Sequence, residues 1–168
     1  KGFNRVDDMP LSGSFVSTIK EFADGTILVG GLDQGFVLGQ PGQWQWFNQQ
    51  NGLPGSGALH AELVDNQLLI SNFQGFYRVN YRSLQEGRVE QLYMLVDDRR
   101  PEAATDSHRC CNGAGSSKGA VHQGRVWYPT LDGVVSLPLQ QLIQHGPLPL
   151  PVLESLSADD QQYRNSEA

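Results

Sequence analysis

The residues best suited to bind a ligand lie in one polar stretch of this 168-residue chain. Between Glu102 and Ser117 there is almost no apolar residue. Arginine and lysine side chains in such a stretch would hold an anionic ligand, and histidine and asparagine would orient it. Loops carry binding residues more often than core strands do. The predicted ligand-binding residues are His108, Arg109, Cys110, Cys111, Asn112 and Lys118.

The same stretch is also consistent with a purely structural insertion. In that case Cys110 and Cys111 are small buried apolar side chains, and Arg109 pairs with Asp106 or Asp97. Neighbouring cysteines have neither the geometry of an ordinary disulfide nor the spacing of a metal site. A redox function would need an exposed, readily ionised thiol, which the sequence does not show.

Other chemical signals are weak, and we predict no catalytic residue, metal site or cofactor. No pair of histidines has metal-ligand spacing. The glycines from Gly113 to Gly119 lack the Gly-Lys-Ser/Thr ending of a phosphate loop. Aromatic residues could stack on a sugar, but they also fit the packed core of a sheet. These aromatic residues are Trp44, Trp46, Phe47 and Trp127.

The charge argues against nucleic acid and anionic lipid as partners. The formal net charge is -6, and the chain has three lysines, Lys1, Lys20 and Lys118. A nucleic-acid-binding surface or a contact with anionic lipid would need basic residues. No run of about 18 apolar residues occurs, so we predict no membrane span and no direct membrane contact.

A hairpin signal occurs three times along the chain. In Gly124 to Val135, an apolar strand is followed by Asp132-Gly133, a strong turn signal. Asn66 to Tyr77 superimposes on it without a gap, and Gly25 to Val37 does so with one inserted residue. The strand before the turn in each unit is nearly all apolar, which predicts burial on both faces. These strands are Ile27 to Val29, Leu68 to Ile70 and Val126 to Tyr128. We expect Gly30-Gly31 to end the strand in the earliest unit.

Four short strands within about forty residues indicate an all-β protein, with β-propeller blades as the expected architecture. The blades are predicted around residues 15–50, 58–97 and 118–137, with the polar insertion at 98–117. The last strand of the middle blade is expected over Val89 to Val96. About three four-stranded antiparallel blades do not close a ring, so they would be a fragment of a larger propeller. A plain antiparallel sandwich is the alternative.

The end of the chain differs in composition. Residues from Pro138 to Ile143 predict one short helical turn, with proline at its first position. Prolines then favour an extended linker over Pro147 to Pro151, followed by a strand over Val152 to Leu156. The polar end, from Ser157 to Ala168, is expected to be mobile.

Three segments resemble known repeats. The run Asp24 to Gly31, the connection Asn51 to Pro54 and the run Val126 to Val135 resemble two-component regulator propeller repeats. The segment Arg109 to Gly115 resembles a subset of these proteins in Gram-negative bacteria. In that subset the propeller precedes a membrane helix and a GGDEF-type diguanylate cyclase. Residues 147–168 look like the passage into the Ig-like β-sandwich that follows such propellers.

The resemblance implies a non-catalytic periplasmic sensor or ligand-binding segment of an inner-membrane-anchored signalling protein. Its output would be cyclic di-GMP, made by a domain outside this chain. Its partners would be an unknown small-molecule or protein signal, and either other blades of the parent protein or a second copy in a homodimer. The alternatives are a carbohydrate- or protein-binding propeller without signalling output, and the sensor of a hybrid two-component histidine kinase. An enzyme would need acid and base groups clustered at one blade end, and no such cluster appears in the sequence.

Overall fold

The computed structural model describes residues 2, 3, 5–11, 13–97, 119–130, 133–143, 155–158 and 161–164. The described chain is all-β, as predicted. It consists of antiparallel sheets with two five-residue helices. None of the described sheets closes on itself.

The first sheet has four strands that neighbour each other in chain order. The second strand does end at the Gly30-Gly31 pair, but it includes both glycines, with Gly31 as its last residue. A Cβ at Gly30 would clash with the Ala58 carbonyl oxygen and lie 2.7 Å from Thr18 Cγ2. Glycine is therefore required here by close packing and not by a turn. The strands are β1 Val16–Glu21, β2 Ile27–Gly31, β3 Phe36–Gln40 and β4 Gln43–Phe47.

The second sheet has the same meander, with a helix inserted before its last strand. Asn80 caps this helix by accepting a hydrogen bond from the Ser83 N–H. The last strand therefore starts at Tyr93, and the prediction of a strand from Val89 is wrong for its first four residues. The elements are β5 His60–Val64, β6 Gln67–Asn72, β7 Gly75–Asn80, α1 Tyr81–Gln85 and β8 Tyr93–Asp97.

The third sheet repeats part of the second with a constant offset. Its strands β10 and β11 and the helix after them begin 58 residues after β6, β7 and α1 (125 minus 67, 133 minus 75, 139 minus 81). This confirms the gapless correspondence of the two hairpin units. Among the described residues this sheet has three strands, and not the four predicted. The elements are β9 Ala120–His122, β10 Arg125–Thr130, β11 Gly133–Pro138 and α2 Leu139–Ile143.

A final antiparallel hairpin consists of β12 Ser155–Ala158 and β13 Gln161–Arg164. The polar end from Ser157 onward, for which no strand was predicted, contributes Ser157, Ala158 and Gln161–Arg164 to this hairpin. Backbone hydrogen bonds hold a hairpin together, so polar side chains do not exclude one. The predicted linker, Pro147 to Pro151, lies outside the described residues.

The three larger sheets pack face to face in chain order. One core cluster joins the inner face of the first sheet, including Leu28 and Phe36, to Ile70 and Tyr77 of the second. A second cluster joins the opposite face of the second sheet to Val126 and other residues of the third sheet and α2. Strands β6 and β7 are thus buried on both faces. This explains the uninterrupted apolar run Leu68, Leu69 and Ile70 in β6.

Burial on both faces does not extend to the third sheet. Along β10 the buried side chains alternate with less buried ones, and Trp127 is 38% exposed. On β11, Val134 is 70% exposed. The prediction that Val126 to Tyr128 is buried on both faces is therefore wrong. The part of the chain that the structure describes covers only one face of this sheet.

Candidate functional site

The predicted ligand-binding residues His108, Arg109, Cys110, Cys111, Asn112 and Lys118 lie outside the described residues. The structure does place the chain on either side of them. Strand β8 ends at Asp97, opposite Gly75 at the start of β7. The chain resumes at Gly119, where an added Cβ would lie 2.7 Å from His60 Cδ2. Asp97 and Gly119 therefore both lie at the end of the second sheet where β5 begins.

A cluster of titratable side chains lies beside this return point. We call it the His60 cluster, and it consists of Lys20, His60, Glu62 and Tyr128. Lys20 Nζ donates hydrogen bonds to Glu62 Oε1 at 2.9 Å and Oε2 at 3.0 Å. His60 Nε2 lies 3.4 Å from Glu62 Oε1. The imidazole meets the Tyr128 ring edge to face, with 5.8 Å between the ring centroids.

Three sheets contribute to the His60 cluster. Lys20 comes from β1, and Tyr128 comes from the buried face of β10. His60 and Glu62 are two residues apart on β5, so their side chains project to the same side of the strand. The site depends on how the sheets pack, because no two of its elements belong to one hairpin.

The electrostatics of the His60 cluster centre on the Glu62 carboxylate. Burial opposes its ionisation, but the nearby His60 ring and the hydrogen bonds and charge of Lys20 outweigh burial and lower the pKa of Glu62. Burial, together with the negative charge of Glu62, raises the pKa of Tyr128 well above its ordinary value. Among the residues that the structure describes, the buried Tyr128 hydroxyl has no hydrogen-bond partner. A buried hydroxyl in that state is costly, and a polar partner would stabilise it.

Chemically, the His60 cluster combines a paired carboxylate with an imidazole and a phenol. These groups come from three different sheets, so a change in their contacts would affect how the sheets pack. Among the described residues, no group of three or more His, Cys, Asp or Glu side chains is placed to hold a metal ion.

The four aromatic residues considered for sugar stacking do not form one platform. Phe47 stacks on Phe36 in the core, with ring centroids 5.2 Å apart. Trp44 packs against the small cluster on the outer face of the first sheet, and Trp127 lies on the third sheet. Trp46 alone lines a cleft of about 300 Å³.

The Trp46 cleft opens at the end of the first sheet. Its walls come from the loop after β2, the turn after β4 and the connection to β5. The lining residues are Asp33, Gln34, Trp46, Asn48, Gln49, Gln50 and Ser56. Sequence reasoning missed the polar members of this set. The Gln-Gln-Asn run directly after an aromatic strand was the available signal.

A second cleft, of about 290 Å³, lies at the opposite end of the first sheet. Glutamine side chains and Thr26 line most of it. Gln45 closes one side by donating from Nε2 to the Gln85 carbonyl oxygen at 3.0 Å. Gln85 also donates to Asp24 Oδ2 at 2.8 Å, so α1 is fastened to the first sheet here.

Comparison with known proteins adds no family. No protein-family model matches the chain, and no curated protein sequence is significantly similar to it. In the residues that the structure describes, neither helix has the length and apolar character needed to cross a membrane.

Proposed function

We propose that this chain is a non-catalytic segment of a periplasmic sensor, made of consecutive β-propeller blades. The observation that carries the proposal is the arrangement of the sheets. Antiparallel meanders follow one another along the chain, stack face to face, and bring their first strands β1 and β5 into contact. In a β-propeller, neighbouring blades also stack face to face, and their first strands lie together around the central channel.

In such a propeller the His60 cluster faces the channel. Lys20 lies on the first strand of one blade, and His60 and Glu62 lie on the first strand of the next. Gly119, just before β9, touches His60. The polar segment with His108, Arg109 and Lys118 would thus be held at the channel mouth. A signal bound there would act by favouring one of two blade arrangements.

The outer faces of the stack fit this proposal. Ile19 on the first sheet and Val134 on the third are large exposed apolar side chains, 69% and 70% exposed. Neighbouring blades of the same propeller would cover them, because each blade in a ring packs on two others. From the resemblance, the parent protein would be anchored in the inner membrane and would carry a GGDEF-type cyclase.

The test uses the full-length parent in Gram-negative cells. An alkaline phosphatase fusion after residue 143 should be active, because the enzyme requires the periplasm. Expression of the parent should raise cyclic di-GMP, and the double substitution Arg109→Ala and Lys118→Ala should change that level. The exposed arginine variant Arg82→Ala is the matched control and should leave it unchanged.

Two results would contradict the proposal. One is an inactive phosphatase fusion, and the other is a cyclic di-GMP level that does not respond to the parent protein. Transfer of phosphate from ATP to a histidine of the parent, without cyclic di-GMP synthesis, would assign the segment to a hybrid histidine kinase instead.

A further inference from the structure

We propose that the Trp46 cleft is a binding site for a neutral saccharide. The cleft combines one exposed aromatic ring with several amide side chains in about 300 Å³. Small-molecule sites begin at about this size. An aromatic face with polar groups around it suits a sugar, which has apolar C–H faces and a rim of hydroxyl groups.

The indole of Trp46 is held in place but not covered. Its Nε1 donates to the Gln34 carbonyl oxygen at 2.8 Å. The Trp46 carbonyl oxygen accepts from Asn51 Nδ2 at 2.6 Å. The side chain is nevertheless 41% exposed. A ring fixed at its edge with part of its surface free loses little conformational entropy when a ligand stacks on it.

The amide groups around the ring are available. Within the described residues, the side chains of Gln34, Gln49 and Gln50 make no hydrogen bond. Their backbones are held in place, Gln34 by the Trp46 indole and the other two by the turn. An amide both donates and accepts, so it can pair with a hydroxyl in either sense. Sugar hydroxyls on neighbouring carbons both donate and accept hydrogen bonds, so a side chain with one donor and one acceptor can pair with two of them.

The backbone of the cleft is fixed before any ligand arrives. Asn48 Oδ1 accepts from the Gln50 N–H at 2.8 Å, and the Asn48 N–H donates to Asn51 Oδ1 at 2.7 Å. These reciprocal bonds form a capping box around the turn Gln49–Asn51. The glutamines are therefore presented from a rigid support.

The charge of the lining selects a neutral ligand. Asp33 is the charged residue among the described residues of the lining, and none of these is a lysine, arginine or histidine. One Asp33 oxygen accepts from the Ser14 hydroxyl at 2.6 Å. A phosphate, sulfate or uronate would face this carboxylate without a cation to offset it. The saccharide site requires this cleft alone, and it stands whether or not the chain belongs to a sensor.

The experiment is calorimetric titration of the full chain with cellotetraose, maltotetraose, xylotetraose, chitotetraose and tetragalacturonate. At least one neutral tetrasaccharide should bind saturably, with a Kd in the range of about 0.1–5 mM, and the anionic one should not. Trp46→Ala should weaken binding at least about tenfold. Gln50→Ala, whose side chain makes no internal hydrogen bond in the described structure, should weaken it about threefold or more.

Trp127→Ala is the matched control, because Trp127 is similarly exposed but lies on the third sheet. It should bind like the unsubstituted chain. The proposal is overturned if none of the neutral tetrasaccharides binds, if Trp46→Ala and Gln50→Ala bind as the unsubstituted chain does, or if tetragalacturonate is preferred. None of these results bears on the periplasmic fusion or on cyclic di-GMP, so the two proposals fail separately.

Discussion

At the scale of single residues, Gly30 controls how closely the first sheet approaches the connection to the second. The Ser17 hydroxyl donates to the Gly30 carbonyl oxygen at 2.9 Å and also to the Ala58 carbonyl oxygen. These bonds hold the Ala58 backbone directly above Gly30. No side chain fits between them, because any Cβ would meet backbone atoms that cannot rotate away.

Gly30→Ala should lower the free energy of unfolding by about 1–3 kcal/mol, the usual cost of overpacking a core. Urea denaturation followed by tryptophan fluorescence measures this change. Gly2→Ala is the control, since nothing lies within 4 Å of a Cβ at that position. Equal stability of the two variants would contradict the packing argument.

Glu62 makes stability depend on pH. Its pKa is lower in the folded chain than the ordinary 4.5. Its contribution is therefore present in full above the unfolded pKa and is lost as pH falls through the folded pKa. Glu62→Gln should flatten the decline of unfolding free energy below about pH 4.5. Denaturation curves between pH 3 and 7 would show it.

Glu21→Gln is the control for that series. Glu21 is an exposed carboxylate on β1 that makes no ion pair within the described residues. If the Glu62 and Glu21 variants reduce the loss of unfolding free energy at low pH to the same extent, the contacts of Glu62 with Lys20 and His60 are not the cause of that loss.

At the scale of elements, the unit of two strands and a short helix recurs, but the two helices are fastened differently. Tyr81 at the start of α1 donates from its hydroxyl to Asp24 Oδ2 at 2.9 Å, which ties α1 to the first sheet. Helix α2 is held from the second sheet, where buried Arg78 donates from Nη1 to the Leu142 carbonyl oxygen at 2.7 Å. A cation near the end of a helix also favours its dipole.

Arg78→Met should destabilise the chain by about 1.5–3 kcal/mol, because a charge-assisted hydrogen bond to α2 is lost. Without this hydrogen bond, a protease should cleave α2 faster. Mass spectrometry of the fragments measures the rate of cleavage. Arg82→Met, at an exposed position of α1, is the control. Unchanged protection of α2 in the Arg78 variant would show that Leu142 alone holds the helix.

At the scale of the whole molecule, the stack is covered in the middle and open on one face of the third sheet. The second sheet is buried on both faces, whereas Trp127 and Val134 of the third sheet remain exposed. A contiguous exposed apolar patch on a sheet is typical of a surface that contacts another element. In the proposed propeller, a neighbouring blade provides that cover.

Studied alone, the chain should therefore associate with itself in a concentration-dependent way. The double substitution Trp127→Ser and Val134→Ser should weaken association roughly tenfold, or about 1.4 kcal/mol, with little effect on the buried core. Sedimentation velocity over a range of concentrations measures it. A chain that stays monomeric at every concentration would contradict the need for a covering blade.

Much of the fold could be predicted from local patterns. Turn signals such as Asp132-Gly133 and the apolar runs predicted the hairpins and their order, because backbone turns depend on nearby residues. Helix α1 was missed, although Asn80 is a good N-cap. Helix α1 follows β7 without a break, and it contains two buried apolar residues, Tyr81 and Leu84. Five residues are too few to show the 3.6-residue period of a helix.

The candidate sites were less predictable than the strands. Lys20 and Glu62 are 42 residues apart, and Tyr128 lies farther along the chain. Contacts between such residues depend on which faces of the sheets pack together. The spacing of the residues along the chain does not predict this packing. Trp46 was considered as a sugar platform for the wrong reason, since its neighbours in the cleft are amides and not the other aromatic residues.

The sequence by itself determined the all-β class, the hairpin units and the correspondence between the second and third sheets, because strand and turn preferences are local. Only the tertiary structure decided which apolar faces are covered, why Gly30 lies inside a strand, and that three sheets meet at His60. Burial and pairing of these groups arise between sheets, where the neighbours of a residue are set by packing and not by its position in the chain.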